Sequence, residues 1–194
     1  MNLPPIYLAS GSPRRRELLA QIGVNFTVLT IDVDESIHDH ELAEAYVKRV
    51  AIDKAQAGLT LIKQQNLPVR SVLAADTAVI IDNQILGKPV DSQQARVFLQ
   101  NLSGRQHQVI SCVALATDTN INVRSQLNQV HFAELSDAEI DCYVATGEGS
   151  DKAGGYAVQG LAAQFIVHID GSYSGIMGLP LFETRQLLQE IPNQ

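Results

Sequence analysis

The chain contains no tryptophan and only two cysteines, Cys112 and Cys142. Neither lies in a CxxC pair or at a paired Cys/His spacing, which argues against a structural zinc site; both are expected as reduced, partly buried thiols. No apolar run approaches the length of a membrane span, and no basic segment followed by an apolar stretch opens the chain. A soluble, cytoplasmic protein with no membrane partner is therefore expected. Positive charge is scarce too: 14 Lys+Arg stand against 21 Asp+Glu, a net charge of −7. That balance argues against a broad nucleic-acid surface and leaves room for a local cationic site. Low-complexity tracts, long linkers and internal repeats are also missing. One α/β domain spanning residues 1–194 is the expectation.

What is present begins with IYLASGSPRRRELLAQIG at residues 6–23. The apolar run from Ile6 to Ala9 reads as a buried strand, broken at Ser10-Gly11-Ser12. A helix then starts with Pro13 at its first position, Ser12 as N-cap and Gly23 near its end. Its N-terminus opens off a small-residue turn with free N–H groups and a dipole that favours anions. Arg14, Arg15 and Arg16 crowd that first turn, where the dipole disfavours cations. A polyanion is the partner that reconciles them, and the loop reads as a phosphate site. Neither GxxxxGK[ST] nor GxGxxG occurs in it.

Further along, Phe26 to Ile31 reads as a strand, and Asp32-Val33-Asp34-Glu35 leads into a polar loop. A helix from about Glu41 to Gly58 places Leu42, Tyr46, Val50 and Lys54 on one stripe. Val72 to Ala75 is an apolar strand reaching Asp76-Thr77 and continuing as Ala78 to Ile81, with a turn at Asp82-Asn83. Asp91 caps a helix through Asn101. Two long strands follow, 107–117 and 120–134, and Ser136-Asp137-Ala138-Glu139 forms a capping box. Phe165 to Asp170 reads as a strand and Leu179 to Ile191 as a final helix. Early alternation with a hairpin-like middle predicts an α/β fold with a mixed sheet.

Among groups able to do chemistry, Asp76 stands out, because four apolar residues should deliver it at the carboxyl end of a buried strand, where open α/β sheets bind ligands. A strand-ending Asp that caps a turn is the alternative. Lys54 shares the inward stripe and needs an anionic partner if buried, unless it snorkels. Lys88 sits in the restricted Gly-Lys-Pro loop. Glu35 and Asp76 together suit a hard divalent cation completed by phosphate oxygens. The hydroxyls of Ser10 and Ser12 read as phosphate donors, since no GxSxG elbow is present. His38, His40, His107, His131 and His168 form no HExxH or regular cluster and receive no role.

Taken together, LASGSPRRRELL, DVDE at 32–35, VKRVAIDKA, LAADTAVIID at 73–82, LGKP at 86–89, LSGRQHQV at 102–109, DKAGGYAVQG at 151–160 and GSYSGIMGLPL at 171–181 resemble the Maf-like nucleoside triphosphate pyrophosphatases, collinearly over nearly the whole chain. The resemblance implies an elongated, mixed twisted sheet flanked by helices, with two lobes around a cleft, similar to the inosine-triphosphatase architecture. It implies Asp76 as the catalytic carboxylate. Ser10, Arg14, Arg15, Lys54 and Lys88 would bind phosphate, joined by Ser12 on the local reading above, and Glu35 with Asp76 would bind Mg²⁺, Mn²⁺ or Co²⁺. Arg14, Thr77 and Gln159 would select the base, a combination that resembles the branch hydrolysing dTTP and UTP to the monophosphate and pyrophosphate. A homodimer is implied as well. Two other readings compete: a nucleotide-binding regulator of cell division without turnover, and a sugar nucleotidyltransferase, which shares the first loop but needs an acceptor site.

Overall fold

Parallel pairing of the first short strands organises the fold. In the computed structural model, which describes residues 4–191, β1 (Ile6–Leu8) pairs in parallel with β2 (Phe26–Val28) and β3 (Val72–Ile81). β4 (Gln84–Leu86) returns antiparallel on β3, and β5 (Gln106–Ala116), β6 (Ile121–Phe132) and β7 (Ile166–Asp170) complete a seven-stranded sheet. Its order is β2-β1-β3-β5-β6-β7, with β4 on β3 and β7 antiparallel to β6. Parallel and antiparallel ladders coexist, so the expected mixed α/β sheet is what the chain forms. The helices are α1 (Pro13–Gln21), α2 (Ala43–Gln64), α3 (Ser92–Leu102), α4 (Asp137–Ala145), the short α5 (Tyr173–Ile176) and α6 (Leu181–Gln189).

Two compact units are interleaved along the chain. Among the described residues the first comprises 4–76, 111–126 and 178–191, and the second Thr77–Ile110 and Leu127–Met177. In the first, Ile6, Leu8, Leu19, Val47, Val50 and Leu73 are fully buried. α2 turns Val47, Val50, Ala51, Lys54, Ala55, Gly58 and Ile62 inward at helical spacing. Gly58 packs close against its neighbours: a Cβ there would lie 2.6 Å from Val72 Cγ1 and 3.3 Å from Ala9 Cβ. The expected stripe starts one turn too early. Leu42 is exposed because it precedes the first helical residue, and the helix runs on to Gln64 rather than stopping at Gly58.

The second unit builds its core from α3, α4, β5 and β6, around Leu99, Leu102, Val130, Phe132, Ile140 and Tyr156. Local signals are realised there as read. Asp91 accepts from the Gln94 N–H at 2.7 Å, and Ser136 and Glu139 close a reciprocal capping box. Asp82 and Asn83 take φ of 51° and 62°, the turn that joins β3 to β4 with the twist a two-residue hairpin needs. His107 is buried, with one ring nitrogen 2.8 Å from the Tyr156 hydroxyl and its ring edge-on to Phe132. Cys112 is buried, as anticipated, whereas Cys142 is exposed on α4. The short α5 has no counterpart among the sequence expectations. Among the described residues no helix is long and apolar enough to cross a membrane.

Candidate active site

The chemistry-bearing side chains of the first unit converge on Asp76. The ladder between β1 and β3 ends at Leu8 and Leu73, with the Ala9 N–H still donating to the Leu73 carbonyl at 2.8 Å. β3 itself continues to Ile81, so Asp76 sits mid-strand rather than at a strand end. It is β1, not β3, that stops short of the carboxylate, its ladder ending at Leu73. The apolar residues after Thr77 extend β3 because β4 pairs with them.

Lys54 reaches this point from the buried face of α2. Its ammonium is 2.8 Å from Asp76 Oδ1 and 3.0 Å from Glu35 Oε1. Lys54 and Asp76 are both buried, while Glu35 is partly open to solvent. The inward lysine is thus paired, not snorkelling. The second oxygen, Asp76 Oδ2, is buried and has no hydrogen-bond partner among the described residues. A buried anionic oxygen left that way costs folding free energy, and such groups mark places where a ligand, an ion or water completes the shell.

The loop before α1 supplies a cationic wall. Arg15 donates through Nε to the Gly178 carbonyl at 2.8 Å and through Nη1 to Ser10 Oγ at 3.2 Å. Ser10 Oγ also accepts the Ser12 N–H at 3.3 Å. With both lone pairs engaged, the buried Ser10 hydroxyl keeps its proton for an anion. Burial lowers the Arg15 pKa from its usual value, and the Asp76 and Glu35 carboxylates oppose that shift, so these three groups share one electrostatic site. Arg14 is half-buried and Arg16 exposed. Ser12 holds the N-cap position with Pro13 behind it, but its side chain makes no capping hydrogen bond.

A second layer fixes the segment that presents Glu35. Tyr46 donates its hydroxyl to the Glu35 carbonyl at 3.1 Å, and Arg49 Nη2 donates to the Ser36 carbonyl at 2.8 Å. Arg49 also grips Glu41 bidentately at 2.7 and 2.8 Å, and Glu41 accepts the His38 N–H at 3.1 Å. Arg49 holds the Glu41 carboxyl down at about 2, and Glu41 raises Arg49 in return. Burial, and then the negative charges of Asp76 and Glu35, push the Tyr46 phenol up to about 12. Sequence reading gave Tyr46 only a core-facing place and gave Arg49 and Glu41 nothing. The available signal was Tyr46, Arg49 and Asp53 at i, i+3 and i+7 of one helix face; Arg49 does lie 3.6 Å from Asp53.

The donor set suits a hard divalent cation. Among the described residues no group of three or more His, Cys, Asp or Glu side chains could hold a metal ion, so Glu35 and Asp76 would be its only acidic ligands. That is the pattern of Mg²⁺-class ions, which are bound through one or two carboxylates and complete their shells with water and phosphate oxygens. The unpartnered Asp76 Oδ2 is the observation that fits. Ser10, Arg15, Glu35, Lys54 and Asp76 therefore come together within one unit. Thr77 follows Asp76 on β3, Lys88 lies exposed after β4, and Gln159 is exposed beyond Gly155; these three belong to the second unit.

A protein-family model described as "Maf-like protein" matches residues 5–191. The chain belongs to the Maf-like family. Its relatives include a "dTTP/UTP pyrophosphatase" of Aromatoleum aromaticum, 52% identical over 193 residues and covering 95% of this chain and 94% of that one. A protein of the same name from Chromobacterium violaceum is 50% identical, covering 95% and 93%. Another, from Aliivibrio fischeri, is 49% identical, covering 95% and 97%. These identities extend over nearly the full length of both chains, so the Maf-like match takes in the segments of both units.

Proposed function

We propose that this Maf-like chain hydrolyses nucleoside triphosphates, dTTP and UTP foremost, to the nucleoside monophosphate and pyrophosphate. The observation that carries the reading is the buried Asp76 carboxylate, held by Lys54 through one oxygen and unpartnered at the other. Names of relatives at about half identity over nearly the whole chain supply the substrate class.

In this reading Glu35 and Asp76 would hold a divalent ion, whose chemistry would be to offset phosphate charge and acidify bound water. Lys54 fixes Asp76 through Oδ1; Oδ2 has two lone pairs, one for that ion and one to orient the attacking water and accept its proton. The new P–O bond forms at the α-phosphorus. The bond to the bridging oxygen breaks, and pyrophosphate leaves with that oxygen and the electron pair. Two of the three N–H donors of Lys54 are engaged by carboxylates, so its third can meet a phosphate oxygen. Ser10, Ser12, Arg14 and Arg15 at the head of α1 bind further phosphate oxygens, with the helix dipole adding to their effect. Preorganised donors of this kind contribute on the order of several kcal/mol to the barrier reduction.

The proposal also assigns Lys88 to phosphate, and Arg14, Thr77 and Gln159 to base selection. The Gln159 side-chain amide, donor and acceptor together, matches the imide edge of uracil or thymine. The test is product identity across a panel of canonical NTPs and dNTPs with Mg²⁺ or Mn²⁺. Monophosphate plus pyrophosphate, formed chiefly from dTTP and UTP, is the expected result. Release of orthophosphate and a diphosphate, or tight binding without turnover, would overturn it.

A further inference from the structure

Two histidines 37 positions apart in the chain, which sequence alone leaves unrelated, face each other across a strand pair. His131 on β6 and His168 on β7 are direct partners in the antiparallel register. Residues so opposed carry their Cβ atoms about 4.5–5.5 Å apart. Their ring centroids are 5.6 Å apart with the planes inclined at 65°. Val130 and Phe132, on either side of His131, are buried in the core, so the pleat turns His131 to the opposite face. His131 is half-buried and His168 exposed. A register shift falls between His131 and Phe132, a bulge of the kind that re-aims a side chain.

We propose that His131 and His168 form a two-imidazole site for a borderline transition-metal ion, Cu²⁺ before Ni²⁺ and Zn²⁺. A metal about 2.0–2.1 Å from one nitrogen of each ring holds two imidazole centres roughly 4.5–5.5 Å apart for angles between about 90° and 120°. The observed 5.6 Å lies just above that range, and side-chain rotation would have to bring both rings onto one ion. Neutral imidazole suits Cu²⁺, Ni²⁺ and Zn²⁺, and affinity for nitrogen sites peaks at Cu²⁺. Open positions go to water, because no third His, Cys, Asp or Glu completes a cluster among the described residues. The site differs in kind from the oxygen-only pair Glu35 and Asp76: hard Mg²⁺ does not compete for it. A bound ion ties β7 to β6, and because the unfolded chain lacks the paired geometry, binding stabilises the fold.

The experiment titrates CuCl₂ and NiCl₂ into the tag-free full chain, reading stoichiometry and affinity by calorimetry and Cu²⁺ ligation by electron paramagnetic resonance. With excess Mg²⁺ present to occupy the Glu35–Asp76 pair, one Cu²⁺ ion per chain is expected, with two nitrogen ligands. His131→Gln and His168→Gln should each weaken Cu²⁺ binding at least tenfold while melting without metal near the wild-type temperature. Metal should raise the melting temperature of the wild type only. Equal affinity in either variant, displacement by Mg²⁺, or half an ion per chain would overturn the proposal, the last because it means one imidazole from each of two chains.

Discussion

Lys54 stands between two carboxylates, bonded to Asp76 at 2.8 Å and to Glu35 at 3.0 Å, at the point where β1 ends and β3 runs on. One ammonium therefore compensates a buried acid and draws a loop acid toward it. The two acids thus share the Lys54 ammonium, while the buried Asp76 Oδ2 is left without a hydrogen-bond partner among the described residues.

Removing that ammonium strands Asp76. Lys54→Met is expected to lower stability at pH 7 by about 3 kcal/mol, the usual cost of leaving a buried charge uncompensated. Urea unfolding of wild type and variant measures it; a difference below about 0.5 kcal/mol would mean the pair has little structural weight.

Gly58 gives a prediction of unexpected sign. Helix propensity alone says Gly58→Ala stabilises by roughly 1 kcal/mol. The 2.6 Å approach to Val72 Cγ1 and 3.3 Å to Ala9 Cβ says the methyl has no room. Overpacking of this kind costs about 1–3 kcal/mol, so the midpoint of urea unfolding should fall. A rise would show that α2 shifts freely off the strands.

His107 sets an acid limit on stability. Burial holds its pKa at about 4, below the ordinary imidazole value of about 6.5, with His131 adding to the shift. The unfolded chain therefore takes up this proton first as pH falls. The contribution of neutral His107 is whole above about pH 6.5 and is lost between there and about pH 4, a span worth on the order of 3 kcal/mol. Unfolding of wild type and His107→Gln at pH 7.5 and pH 4.5 isolates it. The gap between the two proteins should shrink toward acid pH; parallel curves would contradict the assignment.

Arg49 acts through the Glu35 segment. Arg49→Ala should raise the Mn²⁺ concentration for half-maximal activity about tenfold, with a smaller change in kcat at saturating metal. Glu41→Gln should shift it the same way, and Arg49→Lys, lacking the planar fork, should restore it only in part. An unchanged metal requirement in Arg49→Ala would remove this role.

Much of this was legible in the sequence because it is local. The caps at Asp91 and Ser136, the hairpin at Asp82-Asn83 and the strand-turn-helix carrying Ser10 and Arg15 depend on a few neighbouring residues. Lys54 was legible through its i+4 relation to Val50. Asp76 was identified but misplaced at a strand end, because which strand stops is decided by β4 pairing with the later half of β3. Apart from Asp53 on the same helix face, the Arg49 hub stayed hidden, since its partners are the Ser36 carbonyl and the loop acid Glu41, whose path no periodicity encodes. The pairing of His131 with His168 is likewise a matter of register, which appears only once β6 and β7 are laid side by side.

The most direct test of the central claim is the rate of pyrophosphate release from dTTP and UTP by wild type and Asp76→Asn, measured with Mg²⁺ or Mn²⁺ alongside thermal melts. The account predicts turnover by the wild type and a loss of about 10²–10⁴-fold in the variant, the range for removing a positioned acid–base group, in a protein that still folds. Turnover unchanged in a folded Asp76→Asn protein would contradict it.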